Sequence, residues 1–163
     1  MLCFVLTSCG EDDDNSSAEP QVPNGLVMRG EPVCIEFSSD YVWIINMEAL
    51  EFNINNTVNR YELLPSPECA QQITQKKYPN NTYYKDKNIP TGKEYPNHKG
   101  WYYTSELVTP LSYTLNKDKS VLTISDGKKY YTKWRDNQLI ELFNEDGKTV
   151  YKFWKENEVV TIE

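Results

Sequence analysis

Few residues of this chain could take part in covalent, metal or acid–base chemistry. Among 163 residues there are four cysteines and one histidine, His98. A multi-histidine metal site or a histidine-dependent catalytic arrangement would therefore have to use His98. The motifs GxSxG, GxGxxG and the P-loop are absent, as is a Cys/His zinc spacing, and no spacing singles out a carboxylate pair such as Glu141 and Glu145. We expect His98 to be a solvated turn residue and the protein not to be an enzyme, with no metal and no cofactor.

Cys9 stands between two distinctive stretches. Residues 2–6 (LCFVL) are apolar, and the small residues Thr7 and Ser8 separate them from the cysteine. This order is typical of the end of a secretory signal, but a signal also needs a basic start and a longer apolar run. We therefore expect Met1 to be an internal methionine of a longer precursor. Residues 2–6 are too few to span a bilayer, which takes about 20 apolar residues.

The sequence Leu6-Thr7-Ser8-Cys9 resembles the lipobox of bacterial lipoproteins, in which the signal is cut before the cysteine and that cysteine is acylated. Residues 10–14 (GEDDD) resemble the acidic signal that follows the lipid-bearing cysteine in surface-exposed lipoproteins of Bacteroidota. The resemblance implies a lipid on Cys9 and a place in the outer membrane, facing the cell surface or, alternatively, the periplasm. The competing interpretation is a disordered acidic start with an accidental cysteine.

A location in the cell envelope favours a disulfide between the remaining cysteines. Cys3 falls in the signal remnant and Cys9 in the anchor, which leaves Cys34 and Cys69. In an oxidising compartment such a pair is more often a disulfide than a reactive site. We therefore expect a Cys34–Cys69 disulfide, which requires the two Cα atoms to lie roughly 4.4 to 6.8 Å apart.

Charge is unevenly distributed along the chain. The formal net charge is -7, from 24 acidic and 17 basic residues. Five of the acids lie in residues 11–19, where there is no base, so residues 21–163 carry 19 acids against 17 bases. A nearly neutral domain argues against a nucleic-acid partner, which requires a basic face. Residues 10–24 are acidic and rich in Ser, Pro and Asn, and predict a disordered tether between the signal remnant (1–9) and a single domain (25–163).

The second half of the chain predicts consecutive antiparallel strands. Apolar residues alternate with polar ones from residue 111 onward, and turn sequences recur at 116–119, 126–127, 136–137 and 146–147. Two of these turns are Asp-Gly, which tolerates the positive φ angles of tight hairpins. The residues expected to share a face within each strand are Leu111, Tyr113 and Leu115; Leu122 and Ile124; Tyr130, Thr132 and Trp134; Leu139 and Phe143; Tyr151 and Phe153.

The first half is also predicted to be largely β, with one interruption. The runs EPVCIEF, YVWIINM, LEFNI and TVNRYELL each predict a strand. Ser66 is a good N-cap, Pro67 suits the first helical position and Pro79 ends the pattern, which predicts a short helix over about 67–77. Residues 78–103 show no periodicity and predict a long irregular loop, of the kind that is often functional.

The meander from residue 113 to residue 155 resembles the C-terminal half of the lipocalin-like domains found in many envelope lipoproteins of Bacteroidota. The resemblance covers about 45 residues, implies an all-β antiparallel barrel or half-barrel, and depends on the packing positions Leu122, Ile124, Thr132, Trp134, Leu139, Leu142, Tyr151 and Phe153.

Two classes of function fit these features. One is a lipid-anchored, non-enzymatic binding or scaffold module for a small apolar ligand or a protein partner. The other is a surface glycan-binding module that uses the aromatic-rich loop of residues 78–103, because sugars stack on aromatic rings and bind amides and phenols through their hydroxyl groups. The same loop aromatics could instead pack onto the barrel. The candidate ligand-binding residues are Tyr83, Tyr84, Tyr95, Trp101 and Tyr103.

Overall fold

The computed structural model describes residues 19–37, 42–65, 94–103 and 110–160. Every regular element in this part of the chain is a β-strand, so the predicted all-β class is confirmed. The strands are β1 (Val27–Arg29), β2 (Val33–Phe37), β3 (Val42–Asn53), β4 (Thr57–Leu64), β5 (Tyr102–Tyr103), β6 (Leu111–Leu115), β7 (Val121–Ile124), β8 (Lys129–Arg135), β9 (Gln138–Phe143) and β10 (Thr149–Phe153).

Eight of the strands close into an antiparallel barrel. Around the barrel the order is β3, β1, β10, β9, β8, β7, β6 and β4. The ring closes because residues 49–51 of β3 pair with β1 on one edge and with β4 on the other. The additional strand β2 pairs with the first part of β3, and β5 pairs with the end of β4. The predicted barrel is therefore present in its fully closed form.

The hairpin turns of the meander follow their sequences. Asp136 and Asn137 both have positive φ angles, 48° and 63°, as a two-residue type I′ turn requires. In the two Asp-Gly turns only the glycine is left-handed, with φ of 89° at Gly127 and 73° at Gly147. The amides of these glycines donate to the carbonyls of Ile124 and Asn144. Local turn chemistry thus sets the order and register of β6 to β10.

The barrel interior is filled by a continuous apolar core. It contains most of the predicted shared-face residues of β6, β7, β8 and β10, with Leu111, Trp134 and Phe153 partly buried against it, whereas Thr132 is not part of it. A small barrel of this strand number has room for side chains and little else when its interior is apolar and packed. The buried members of this interior cluster are Val22, Leu26, Met28, Leu50, Phe52, Val58, Tyr113, Leu115, Leu122, Ile124, Tyr130, Leu139, Leu142 and Tyr151.

One predicted pairing of side chains is wrong. Leu139 was expected to share a face with Phe143, but it is Leu142 that is buried beside it. The reason is a β-bulge, since Lys133 pairs with Glu141 and Trp134 pairs with Leu139, which leaves Ile140 as an extra residue. One extra residue reverses the alternation downstream.

The first half of the barrel differs from its prediction in two ways. The runs YVWIINM and LEFNI form one continuous strand, β3, where two strands were expected. In addition, Val22 is buried in the interior cluster and its amide donates to the hydroxyl of Tyr113 at 3.0 Å. Val22, which lies within the predicted tether of residues 10–24, is therefore packed onto the barrel.

Three predictions fall wholly or partly beyond the described residues. Cys9 with residues 10–18, the helix over about 67–77, and residues 78–93 of the predicted loop all lie outside them. Cys69 does too, so the Cys34–Cys69 disulfide stays a prediction. The structure does show that the strands next to the two cysteines are neighbours of β3. Val33, which precedes Cys34, pairs with Asn46 of β3, and Leu63 of β4, the strand that leads towards Cys69, pairs with the next residue of β3, Met47.

Candidate aromatic cleft

The outer face of β3 and β4 carries a second apolar cluster. Met47 and Ala49 of β3 and Leu63 of β4 alternate with the residues that face the barrel interior, so they point outward. They are nevertheless fully buried. The segment 94–103 and the chain after β10 cover them, and these two segments contribute the aromatic residues described below.

Segment 94–103 is a small hairpin built on two left-handed residues. Asn97 has a φ of 62° and Gly100 a φ of 84°. The amide of Tyr95 donates to the carbonyl of Trp101 at 2.7 Å, and the amide of Gly100 donates to the side chain of Glu94 at 2.8 Å. The hairpin then runs into β5, which pairs with Leu63 and Leu64. The aromatic residues of this segment are thereby held against the outer face of the barrel.

The chain leaving β10 meets the hairpin from the other side. The amide of Trp154 donates to the carbonyl of Val27 at 2.9 Å, and the amide of Asn157 donates to the carbonyl of Asn97 at 2.9 Å. Arg29 of β1 fixes the end of this segment through a 2.9 Å ion pair with Glu158. Phe153 packs against the interior core, and the next residue, Trp154, points to the outer face of the barrel.

Three rings form a buried stack where the two segments meet. The rings of His98 and Trp154 lie 3.7 Å apart between centroids, at 19° to each other. The ring of Tyr95 is nearly parallel to that of Trp154, at 5.8 Å and 5°. Exposed fractions are 4% for Tyr95, 4% for His98 and 1% for Trp154. The prediction that His98 is a solvated turn residue is wrong, because the turn that carries it is folded onto Trp154.

Burial has a clear effect on the titration of His98. Desolvation lowers the pKa of its imidazole to about 4, and the nearby Glu158 carboxylate opposes part of that effect. In the unfolded chain the pKa of histidine is about 6.5. His98 is therefore neutral in the folded protein at pH 7, and its contribution to stability is complete above about pH 6.5 and lost as the pH falls towards 4.

We expect the ¹H NMR signal of the His98 imidazole Cε1 proton to titrate with a midpoint near pH 4. Since the chain has one histidine, this signal is unambiguous. The same protein in concentrated urea is the control and should titrate near pH 6.5. A midpoint above pH 6 in the folded protein would mean that His98 is solvated and that the stack with Trp154 does not form.

Three tyrosines surround the carboxylate of Glu51 next to this stack. The rings of Tyr61, Tyr95 and Tyr103 lie 5.1 to 5.7 Å from one another, in edge or tilted contacts. The hydroxyl of Tyr95 donates to Glu51 at 3.3 Å. Burial and the charge of Glu51 raise the pKa of Tyr61 to about 12 and raise the pKa values of Tyr95 and Tyr103 further. All three phenols are therefore protonated at neutral pH.

An open cleft of about 450 Å³ lies between the start of β1 on one side and the ring stack, Glu51 and Tyr103 on the other. It combines aromatic rings with two carboxylates and an amide, and it contains no lysine or arginine. Its lining residues are Gly25, Val27, Glu51, Tyr95, Pro96, Asn97, His98, Tyr103, Phe153, Trp154 and Glu156. A concave site with aromatic walls and a few polar groups is the usual form of a small-ligand site.

The structure brings together part of the predicted ligand-binding set. Tyr95 and Tyr103 line the cleft, whereas Trp101 is 4% exposed and belongs to the second apolar cluster. Tyr95 and Trp101 are both buried in the second apolar cluster, so these two loop aromatics pack onto the barrel, as the alternative interpretation expected. Tyr83 and Tyr84 lie outside the described residues.

Several lining residues were not predicted from the sequence. Glu51 is one acid among 24, and nothing local distinguishes it. His98 was assigned to solvent. Trp154 carried one usable signal, because Phe153 and Trp154 are adjacent and neighbouring residues of a strand cannot face the same side. One of these two aromatic side chains therefore had to lie outside the barrel.

Within the described residues, no group of three or more His, Cys, Asp or Glu side chains is placed to hold a metal ion. The same part of the chain contains no helix with the length and apolar character needed to cross a membrane. The chain matches no family model, no curated protein and no solved structure.

Proposed function

We propose that this protein is a lipid-anchored, non-enzymatic binding module of the cell envelope, and that its ligand occupies the aromatic cleft. The observation that carries the proposal is the cleft itself, a concavity of about 450 Å³ with aromatic walls and ionisable groups. The anchor at Cys9 comes from the likeness of residues 6–14 to a lipoprotein signal.

The cleft is a better candidate than the barrel interior. The interior is filled by its own side chains, and residues such as Met28, Phe52 and Leu122 are fully buried there. The cleft, in contrast, is open to solvent and lies outside the ring of strands. Its residues come from four separate parts of the chain, so the fold holds them in place together.

A neutral glycan is the second candidate ligand. Tyr103 is half-buried in the cleft wall, and Asn97 offers an amide to sugar hydroxyls. This arrangement favours a short oligosaccharide entering the cleft edge-on. Stacking of a sugar ring on a broad platform is less well supported, because His98 covers one face of Trp154 and both Tyr95 and Trp154 are almost fully buried.

The proposal predicts that a ligand moves the NMR signals of the cleft. We expect a panel of neutral oligosaccharides, organic amines and carboxylic acids to include compounds that shift the indole N–H of Trp154 and the imidazole signals of His98. Trp134 provides an internal control because it does not line the cleft. Its indole N–H donates to the carbonyl of Lys119 at 2.9 Å, so its signal should stay in place when a ligand enters the cleft. If no member of the panel moves Trp154 or His98, the cleft is not a binding site and the proposal fails.

A further inference from the structure

We propose that the cleft selects an organic ammonium cation, an inference that rests on the binding function proposed above. The first argument is charge. The lining contains two carboxylates, Glu51 and Glu156, and no lysine or arginine. The one other titratable base, His98, is neutral at pH 7 because burial lowers its pKa. The walls therefore carry a negative charge with no compensating cation among them.

The second argument is the arrangement of rings around Glu51. The negative face of an aromatic ring attracts a cation within about 6 Å of its centroid, and several rings together recognise alkylated ammonium groups. In this cleft the half-buried Tyr103 presents its ring beside Glu51. Tyr61, Tyr95 and Tyr103 contact one another at 5.1 to 5.7 Å between centroids, so the neighbouring rings hold Tyr103 in place. Tyr95 and Tyr103 face the cleft, and Tyr61 supports them from behind on β4.

The third argument is that the carboxylate is already positioned. Glu51 lies on the long strand β3, where it pairs with Val27 of β1 and Asn59 of β4. Tyr95 donates a hydrogen bond to one of its oxygens, Oε2. A cation entering the cleft would meet an oriented anion beside aromatic faces, whereas a phosphate or carboxylate ligand would meet two negative side chains.

An ammonium group could come from a free amine or from a lipid headgroup. In a choline headgroup a phosphate lies a few bonds from the cation, and Glu51 and Glu156 would repel it. The charge of the cleft therefore favours a free amine.

The test compares choline with its neutral isostere 3,3-dimethylbutan-1-ol by isothermal titration calorimetry. We expect choline to bind at least about tenfold more tightly than the isostere, because the isostere lacks the positive charge that the ring faces and Glu51 attract. Glu51→Gln keeps the side-chain shape and should reduce choline affinity by about tenfold or more. Glu145→Gln changes an exposed carboxylate in the β9–β10 turn, outside the lining, and should leave choline affinity unchanged.

A third titrant, glycerophosphocholine, distinguishes the sources of the cation. Weaker binding than choline assigns the site to a free amine, and equal or tighter binding assigns it to a headgroup. Equal binding of choline and its isostere, or no effect of Glu51→Gln, would overturn the cation inference. If oligosaccharides shift Trp154 while choline does not, the cation inference fails and the binding function stands. If nothing shifts Trp154, both fail.

Discussion

Replacing Trp154 with alanine should lower the free energy of unfolding by about 3 to 5 kcal/mol, the usual cost of truncating a buried tryptophan. Its side chain is 1% exposed and stacks on His98 at 3.7 Å between ring centroids. Truncation removes that apolar surface and leaves a cavity among Met47, Ala49 and Tyr95, whose positions are set by backbone pairing. Urea denaturation followed by circular dichroism measures the loss.

The matched control is Tyr131→Ala. Tyr131 is also an aromatic residue on the outer face of the barrel, but it is 41% exposed. Its truncation should cost less than about 1 kcal/mol, as is usual at the surface. If Trp154→Ala also costs less than about 1 kcal/mol, the second apolar cluster contributes little to stability and does not hold the cleft residues firmly in place.

Replacing Cys9 with alanine should move the protein from the membrane fraction to the soluble fraction. The expected anchor is a multi-chain lipid, in which each buried methylene contributes about 0.8 kcal/mol, so that losing it leaves no comparable attachment. The measurement is ultracentrifugation of lysates after expression with the complete precursor signal. This prediction comes from the sequence around Cys9, which lies outside the described residues.

Cys3→Ala is the control for this experiment. Cys3 lies in the signal remnant, ahead of the proposed cleavage point, so its loss should leave the protein in the membrane fraction. Retention of the Cys9→Ala protein in that fraction would contradict the lipid anchor.

The meander could be predicted from the sequence because its determinants are local. Asp136-Asn137 and the two Asp-Gly turns specify hairpins between neighbouring strands, and alternation specifies the buried face. The shared face predicted for Leu139 and Phe143 was wrong because the β-bulge at Ile140 depends on how two strands fit together. A single strand's own pattern does not contain that information.

The strand pairings that close the predicted barrel, and the cleft, could not be worked out from local sequence patterns because they depend on contacts between distant residues. β1 has three residues, too few to show an alternation, yet it joins β3 to β10. His98 looked like a turn residue, and it is one, but the turn is buried by a tryptophan from the other end of the chain. The hydrogen bond from Tyr95 to Glu51 likewise joins residues 44 positions apart in sequence, and no local pattern indicates it.

The pairing of Met28 with Phe153 also has a consequence for the order in which the chain folds. Hairpins between consecutive strands form quickly, whereas contacts between residues far apart in sequence must first overcome the entropy of closing a long loop. The strands β6 to β10 are joined by short turns, and the β1–β10 contact brings the two ends of the domain together. Val27 and Trp154, which line the cleft, belong to this late contact. On this argument we expect the cleft to form late in folding, and a chain arrested before β1 pairs with β10 would have most of its strands but not the cleft.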